Sequence, residues 1–234
     1  MSHSVRTGVA LAAALALFTP AAQAQRTDFT MTPGNYTAPN PNNFIGFGVW
    51  GYTPSVGWAV SGRNLQTASL LSEVYTATGG AAGIAFEHNF NFELNLFGGC
   101  FDGGLLLASI NGAAYSPITA MTGGTQYRGP ISTTGGSPRA GQNAFCGFPN
   151  NTQGSYVTSS FMTTLAAGTQ VQFAFEGAWD SQRVNSGANW TIRAVELTGL
   201  TNASVVPEPS TYALMGTGLL ALVGVNRRRT RTRA

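Results

Sequence analysis

Few residues of this chain are of the types that carry out acid–base or nucleophilic chemistry. The 234 residues include two histidines, two cysteines and no lysine, and only 9% are charged. Outside the first 24 residues the one histidine is His88, which lies beside Phe86 and Phe90 on the apolar side of an alternating stretch. This position favours a buried, hydrogen-bonded histidine over a catalytic base. Serine hydrolysis and zinc binding are also disfavoured, because there is no Gly-x-Ser-x-Gly motif and one histidine is too few for such a zinc site.

Acidic residues could act as a general acid and base, or they could ligate a cation. Glu87 and Glu93 share one face of a predicted strand, but six residues of extended chain separate them by about 20 Å. Glycosidases hold their carboxyl groups roughly 5 to 9.5 Å apart, so only pairs from different strands, such as Glu87 with Glu176, remain open. Asp102 in a glycine-rich loop, or Asp180 before a Ser/Asn-rich loop, would offer oxygen ligands for calcium. Neither has EF-hand spacing, and we assign no catalytic residue, cofactor or metal ligand.

Cys100 and Cys146 are the only cysteines of the chain. In an exported protein two cysteines most simply form a disulfide. The predicted bridge would enclose most of residues 112–155, a stretch rich in Gly, Pro and Ser. Closing a loop of about 45 residues stabilises the folded state by roughly 4 kcal/mol in the chain-entropy model.

The elements that must position these groups are predicted to be short β-strands. Residues 84–96 alternate strictly, with Ile84, Phe86 and Leu96 on the apolar side. Further strands are predicted at residues 44–50, 56–60, 105–111, 156–163, 171–180 and 190–197, and an extended lead-in strand at 26–43. Gly-rich and Asn-rich turns separate them. The pattern predicts an all-β fold, an antiparallel β-sandwich or jelly roll, as a single domain over residues 25–206.

Two tryptophans flank the polar loop that is predicted to join the last two long strands. Trp179 ends one strand and Trp190 begins the next. Two interpretations stay open: both rings anchor the core, or both belong to an exposed platform on which sugar rings stack.

The charge distribution argues against a nucleic-acid partner. All 12 basic residues are arginines, and five of them lie in the last eight positions. Between residues 25 and 206 there are six arginines and eight acidic residues, so the body carries a slight negative charge. Nucleic-acid binding would require a basic surface. The low charge with 43% hydrophobic residues also excludes a coiled coil and a charged disordered protein.

The first 24 residues have the three parts of a secretory signal peptide. Arg6 supplies the positive start, residues 9–18 form a short apolar run, and Pro20 ends it. Small residues then precede a predicted signal-peptidase cleavage site between Ala24 and Gln25. The pattern predicts export.

Residues 207–234 carry a second processing signal. The motif Pro207-Glu208-Pro209 precedes an apolar stretch that predicts a transmembrane helix at about residues 210–226. Such a helix would be roughly 25 Å long, at the short end of what crosses a bilayer. Positive-inside logic places the following arginines in the cytoplasm and the body outside. These arginines are Arg227, Arg228 and Arg229.

The order of motif, apolar span and arginines resembles the PEP-CTERM sorting domain of exported proteins in Gram-negative bacteria that make exopolysaccharide. The resemblance implies processing near the Pro-Glu-Pro motif by an exosortase, a membrane enzyme similar to cysteine transpeptidases. The same module is also called an ice-binding protein C-terminal domain, a label that names the sorting tail and implies no ice binding. The resemblance covers about 28 of the 234 residues and implies nothing directly about residues 25–206.

Together these features predict an exported, non-enzymatic β-sandwich that passes through an inner-membrane-anchored precursor to the cell surface or the extracellular (biofilm) matrix. It would act there as a structural or adhesive component, with exopolysaccharide as a candidate ligand and with signal peptidase and exosortase as processing partners. In this interpretation Glu87, Glu93 and Glu176 are solvated surface residues. The alternative is a matrix-associated, carbohydrate-active hydrolase that uses carboxylates from separate strands.

Overall fold

The computed structural model describes residues 50–53 and 55–202, together with two strands that precede them, at Gln25–Asp28 and Tyr36–Thr37. Outside these residues lie the predicted signal peptide, the predicted transmembrane helix and all but the last residue of the strand predicted at 44–50. Within the described part, every regular element is a strand except one short 3-10 helix. None of its helices has the length and apolar character needed to span a membrane.

The strands are numbered in chain order. They are β1 (Gln25–Asp28), β2 (Tyr36–Thr37), β3 (Gly51–Thr53), β4 (Gly57–Val60), β5 (Thr67–Ala77), β6 (Gly80–Phe90), β7 (Gly103–Ile110), β8 (Ser116–Pro117), β9 (Gly123–Gly124), β10 (Gly129–Pro130), β11 (Asn143–Ala144), β12 (Val157–Leu165), β13 (Gln170–Ala178), β14 (Trp190–Thr198) and β15 (Leu200–Asn202). The 3-10 helix spans Pro149–Asn151.

The long strands form two antiparallel sheets that pack face to face. The first sheet has the order β3-β4-β14-β6-β12-β9, and β1 also pairs with β14. The second has the order β15-β5-β13-β7-β8, and β2 also pairs with β5. From β4 to β7, and again from β12 to β15, each strand lies in the sheet opposite to that of the strand before it. The prediction of an all-β antiparallel sandwich is therefore confirmed.

The core between the sheets is built on aromatic rings. Phe86 of the first sheet meets Phe175 of the second edge-on, with 5.0 Å between ring centroids, and Phe175 lies 5.8 Å from Trp190. Edge-to-face pairs of this kind contribute about 0.5–1.5 kcal/mol each beyond their buried area. Trp179 and Trp190 are both 0% exposed. The core-anchor interpretation of these tryptophans is confirmed, and the sugar-platform interpretation is wrong.

The strand predicted at residues 84–96 ends earlier than its alternation suggests. β6 stops at Phe90, and the chain then turns around Asn95. The side-chain oxygen of Asn95 accepts hydrogen bonds from the backbone N–H groups of Phe97 (2.9 Å) and Gly99 (2.8 Å). Because this Asx turn reverses the chain, Leu96, which was predicted to point inward, is 100% exposed.

One long strand, β5, was not predicted at all. The alternation of buried residues along β5 changes phase at a bulge. Before the bulge the buried residues are Ala68, Leu70 and Ser72, and after it they are Tyr75 and Ala77. At the bulge two residues of β5 lie opposite a single residue of β13. A bulge shifts the alternation by one residue, and this shift hides the strand from a search for strict period two.

The irregular stretch at 112–155 joins the core through the predicted disulfide. Cys100 and Cys146 are bonded to each other, which confirms that prediction. The stretch contains only the two-residue strands β8–β11 and the 3-10 helix. It still contributes buried apolar side chains, including Ile118, Ile131 and Phe145.

The disulfide makes a direct prediction about thiol chemistry and stability. We expect no titratable thiol in the native exported protein, and two after denaturation and reduction. The double Cys→Ala variant is expected to lose about 2–5 kcal/mol of unfolding free energy, because the unfolded chain is no longer cross-linked. Ellman titration and urea unfolding measure the two effects. Two reactive thiols in the native protein would contradict the pairing.

His88 is a fully paired core residue, as its sequence position predicts. Its side chain is 0% exposed. Its Nδ1 atom accepts a hydrogen bond from the indole N–H of Trp190 (3.0 Å), which assigns the proton to Nε2. Nε2–H then donates to the Ser159 hydroxyl (2.9 Å), and that hydroxyl donates to the carbonyl of Thr125 (2.6 Å). The ring is held neutral, with both nitrogens in use.

We expect His88 to make the fold sensitive to acid. Burial lowers the pKa of His88 from 6.5 to about 3, so the unfolded chain takes up this proton first as the pH falls. The contribution of His88 to stability is complete above pH 6.5 and is lost progressively between pH 6.5 and 3, by roughly 3 kcal/mol at pH 4.5. Urea unfolding at several pH values, compared between the wild type and His88→Gln, measures the pH-dependent contribution of His88 to the unfolding free energy. An NMR titration in which His88 titrates near pH 6.5 in the folded protein would contradict it.

Candidate metal centre

Strand pairing brings together acidic residues that are distant in sequence. Asp102 directly precedes β7, and Asp180 lies two residues after the end of β13. These strands are antiparallel neighbours in which Gly103 pairs with Ala178, so the start of β7 lies beside the end of β13. The carbonyl of Glu93 accepts hydrogen bonds from the N–H groups of Phe101 and Asp102. These two bonds place Glu93 next to the same strand end.

The three carboxylates face one another. One oxygen each from Glu93, Asp102 and Asp180 lies within 4.8 Å of one oxygen of each of the other two. Asp102 and Asp180 are only 1% exposed. Asp102 Oδ1 accepts from the backbone N–H of Asp180 (2.8 Å), and Asp180 Oδ1 accepts from that of Gln182 (2.7 Å). The remaining oxygens, Oδ2 of both aspartates and Oε2 of Glu93, are buried without a hydrogen-bond partner.

The electrostatics of this cluster disfavour three bare negative charges. Burial, and then the charges of Asp180 and Glu93, raise the pKa of Asp102 to about 7, although the N–H of Asp180 acts in the opposite direction. Burial and the charge of Asp180 also raise the pKa of Glu93, against the backbone N–H and the charge of Arg183. Buried carboxylates are stable when they are protonated, paired or bound to a cation.

A glycine leaves the space beside Asp180. A Cβ atom on Gly135 would lie 2.0 Å from Asp180 Oδ2. The N–H of Ser181 donates to the carbonyl of Gly135 (2.9 Å), which fixes this backbone against the cluster. Any larger residue at position 135 would fill the place next to the unpartnered oxygen.

The loop between Glu93 and Asp102 carries an exposed apolar tip, which we call the Leu96–Phe97 tip. Leu96 is 100% exposed and Phe97 is 98% exposed. The Asn95 turn fixes the backbone of the tip, and Arg128 Nε donates to the carbonyl of Gly98 (2.7 Å). Contiguous exposed apolar residues of this kind mark interaction sites. In the sequence, the run Asn-Leu-Phe-Gly-Gly was a turn signal within the apparent strand.

The other acidic candidates do not form a pair. Glu87 lies on β6 of the first sheet, where it binds Nε and Nη2 of Arg193. Glu176 lies on β13 of the second sheet, where its oxygens bind Arg139 Nε (2.5 Å) and the Ser69 hydroxyl (2.7 Å). Glu176 is only 6% exposed, so its interpretation as a solvated surface residue is wrong. The irregular stretch that contains Arg139 covers it.

The two arginine–glutamate pairs are expected to differ in their contribution to stability. Glu176→Gln removes the charge from a buried pair, and we expect a loss of about 1–3 kcal/mol of unfolding free energy. Glu87→Gln is the matched control, because its pair is more exposed, with side-chain exposures of 21% for Glu87 and 40% for Arg193. Its expected loss is below about 1 kcal/mol. Urea unfolding of both variants tests the ranking, and equal losses would contradict it.

The tail beyond the described strands is identified from its sequence. Residues 205–229 match the PEP-CTERM protein-sorting motif. This range includes the Pro207-Glu208-Pro209 motif and the arginines at 227–229. The predicted resemblance is therefore confirmed for the tail. A PEP-CTERM tail implies an exported protein that is sorted by an exosortase.

Outside the tail, the chain has a structural similarity to a solved protein and no match among curated proteins. No curated protein matches the sequence. Among solved structures, the fold is similar to a family 35 carbohydrate binding module from an environmental isolate, with 14% sequence identity and a TM-score of 0.36. The match covers 78% of this chain and 99% of that module. A likeness of this degree carries no inference about the ligand.

Proposed function

We propose that the protein is an exported, non-enzymatic component of the cell surface or extracellular matrix, with a structural or adhesive role and exopolysaccharide as its ligand. The observation that carries this proposal is the PEP-CTERM tail at residues 205–229. The precursor is held in the inner membrane by the predicted helix and is then released by exosortase. What reaches the exterior is the disulfide-bonded β-sandwich.

The state of the acidic residues supports a non-enzymatic role. In the described part of the chain, Glu87 and Glu176 lie on different sheets, and each is paired with an arginine. Asp102 and Asp180 are close together, but at 1% exposure they lie out of reach of a polysaccharide. Glycosidases instead present two carboxyl groups to the substrate at roughly 5 to 9.5 Å from each other. The alternative, a carbohydrate-active hydrolase, has no such pair among these residues.

The Leu96–Phe97 tip is the proposed contact surface. The aromatic ring of Phe97 is 98% exposed, and its backbone is fixed by the Asn95 turn. A ring held in this way can cover the apolar face of a sugar without a large loss of conformational freedom on binding. The tip thus replaces the buried tryptophans as the aromatic element available for adhesion.

The test follows both retention and cleavage of the producing cell's own exopolysaccharide. Immobilised exported protein is expected to retain the polysaccharide and to release no new reducing ends. Phe97→Ser is expected to reduce retention at least about tenfold, the loss that corresponds to one well-placed apolar contact of about 1.4 kcal/mol. Ile110→Ser is the matched control, because Ile110 is a surface-exposed apolar residue (39%) on β7.

Three results would each overturn a part of the proposal. Release of reducing ends that disappears in one Glu→Gln variant would establish the hydrolase. Absence of retention by the wild type would remove exopolysaccharide as the ligand. Equal retention by Phe97→Ser and by Ile110→Ser would remove the tip as the contact surface.

A further inference from the structure

We propose that Glu93, Asp102 and Asp180 bind one calcium ion at the junction of β7 and β13. This site goes beyond the proposed function and does not depend on it, since calcium binding is measurable without any polysaccharide.

The donor set and its dimensions suit a hard divalent cation. The donors are carboxylate oxygens, which Ca²⁺ and Mg²⁺ prefer, and no described histidine or free thiol joins them. Two oxygens on one Ca²⁺ ion lie at most about 5 Å apart, since each Ca–O bond is about 2.3–2.6 Å. The mutual separation within 4.8 Å meets this limit for all three residues. Calcium is favoured over magnesium because Mg²⁺ usually retains several waters, whereas this cluster is buried.

The unpartnered oxygens are the independent observation that points to a ligand. Backbone N–H groups engage Oδ1 of Asp102 and Oδ1 of Asp180, and the Oδ2 atoms are left buried and unpaired. Glu93 Oε2 is in the same condition. A buried acceptor without a partner is costly, and a buried charge more so. A single cation satisfies all three oxygens and removes the repulsion between the carboxylates.

The location of the cluster indicates which parts of the fold a bound ion would join. Glu93 and Asp102 lie at the two ends of the loop that contains the Leu96–Phe97 tip, and Asp180 is the second residue of the segment between β13 and β14. A bound ion would join these two segments at one point. Cys100 lies within the same loop, and its disulfide to Cys146 gives this loop a covalent link in addition to the ionic one.

The first experiment measures binding to the purified exported protein with its disulfide intact. Added CaCl₂, at about 100-fold above its Kd, is expected to raise Tm by about 5–10 °C relative to the same protein in EGTA. MgCl₂ at the same concentration is expected to give a smaller shift. Tb³⁺ should show emission sensitised by the neighbouring Trp179, and Ca²⁺ should displace it. Absence of both the Tm shift and the Tb³⁺ emission, or an equal shift with Mg²⁺, would overturn the calcium assignment.

The variant Asp102→Asn separates a cation site from a merely structural cluster. Asparagine keeps an oxygen for the N–H of Asp180 but removes one charge. In EGTA the variant is therefore expected to have a Tm equal to or above that of the wild type, because repulsion is relieved. In calcium its Tm is expected to fall below that of the wild type, with affinity reduced at least tenfold. Glu87→Gln is the charge-matched control and should keep the full calcium response. A full response in Asp102→Asn would overturn the site.

Discussion

The antiparallel pairing of β13 with β7 is the constraint on which both the core and the candidate site depend. It aligns Phe173 and Phe175 with the apolar run of β7, and Phe175 contacts the rings of Phe86 and Trp190 in the first sheet. It also places the chain before β7 beside the chain after β13, which is where Asp102 and Asp180 meet. Gly104 of β7 leaves room for Trp190 of the opposite sheet, because a Cβ there would lie 2.8 Å from the indole ring. One register therefore sets the tryptophan packing and the carboxylate cluster together.

The fold class could be predicted because strict alternation survives where strands pair regularly. β6 and β13 were recognised from their alternating apolar residues, and each pairs with one neighbour, β12 or β7, without a break in register. The disulfide was predicted because two cysteines in an exported chain leave one simple pairing. Prediction failed where the backbone departs from period two. The bulge at Ser72 and Glu73 breaks the pattern of β5, and the Asn95 turn ends the strand that continues in the sequence pattern. At the bulge the Ser72 hydroxyl accepts a hydrogen bond from the N–H of Phe173, and at the turn the Asn95 side chain accepts from those of Phe97 and Gly99. The spacing of apolar residues contains no information about such side-chain hydrogen bonds.

The candidate site could be predicted only in pieces. Asp102 and Asp180 were each plausible calcium ligands from their loops, but 78 residues separate them, and no spacing rule connects two residues that meet through strand register. Glu93 was judged with Glu87 on an ideal strand, whereas the turn after β6 carries it to the other two acids. The contact between the loops is a property of tertiary structure, as is the burial that makes Glu176 an internal ion pair and not a solvated charge.

The contrast between His88 and the carboxylate cluster shows why the cluster points to a partner from outside the chain. Both place polar groups in the interior, where each donor or acceptor needs a partner. For His88 the protein supplies every partner. Trp190 donates a hydrogen bond to one ring nitrogen, and the other donates to the Ser159 hydroxyl, which in turn donates to the backbone carbonyl of Thr125. For Asp102 and Asp180 the protein supplies half: backbone N–H groups bind one oxygen of each, and the second oxygen of each is buried without a partner, as is Oε2 of the adjacent Glu93. A chain with only eight acidic residues between positions 25 and 206 places three of them here. The same core that completes one polar network internally leaves this one open, and a divalent cation is the species whose charge would balance the carboxylates and bind their unpartnered oxygens.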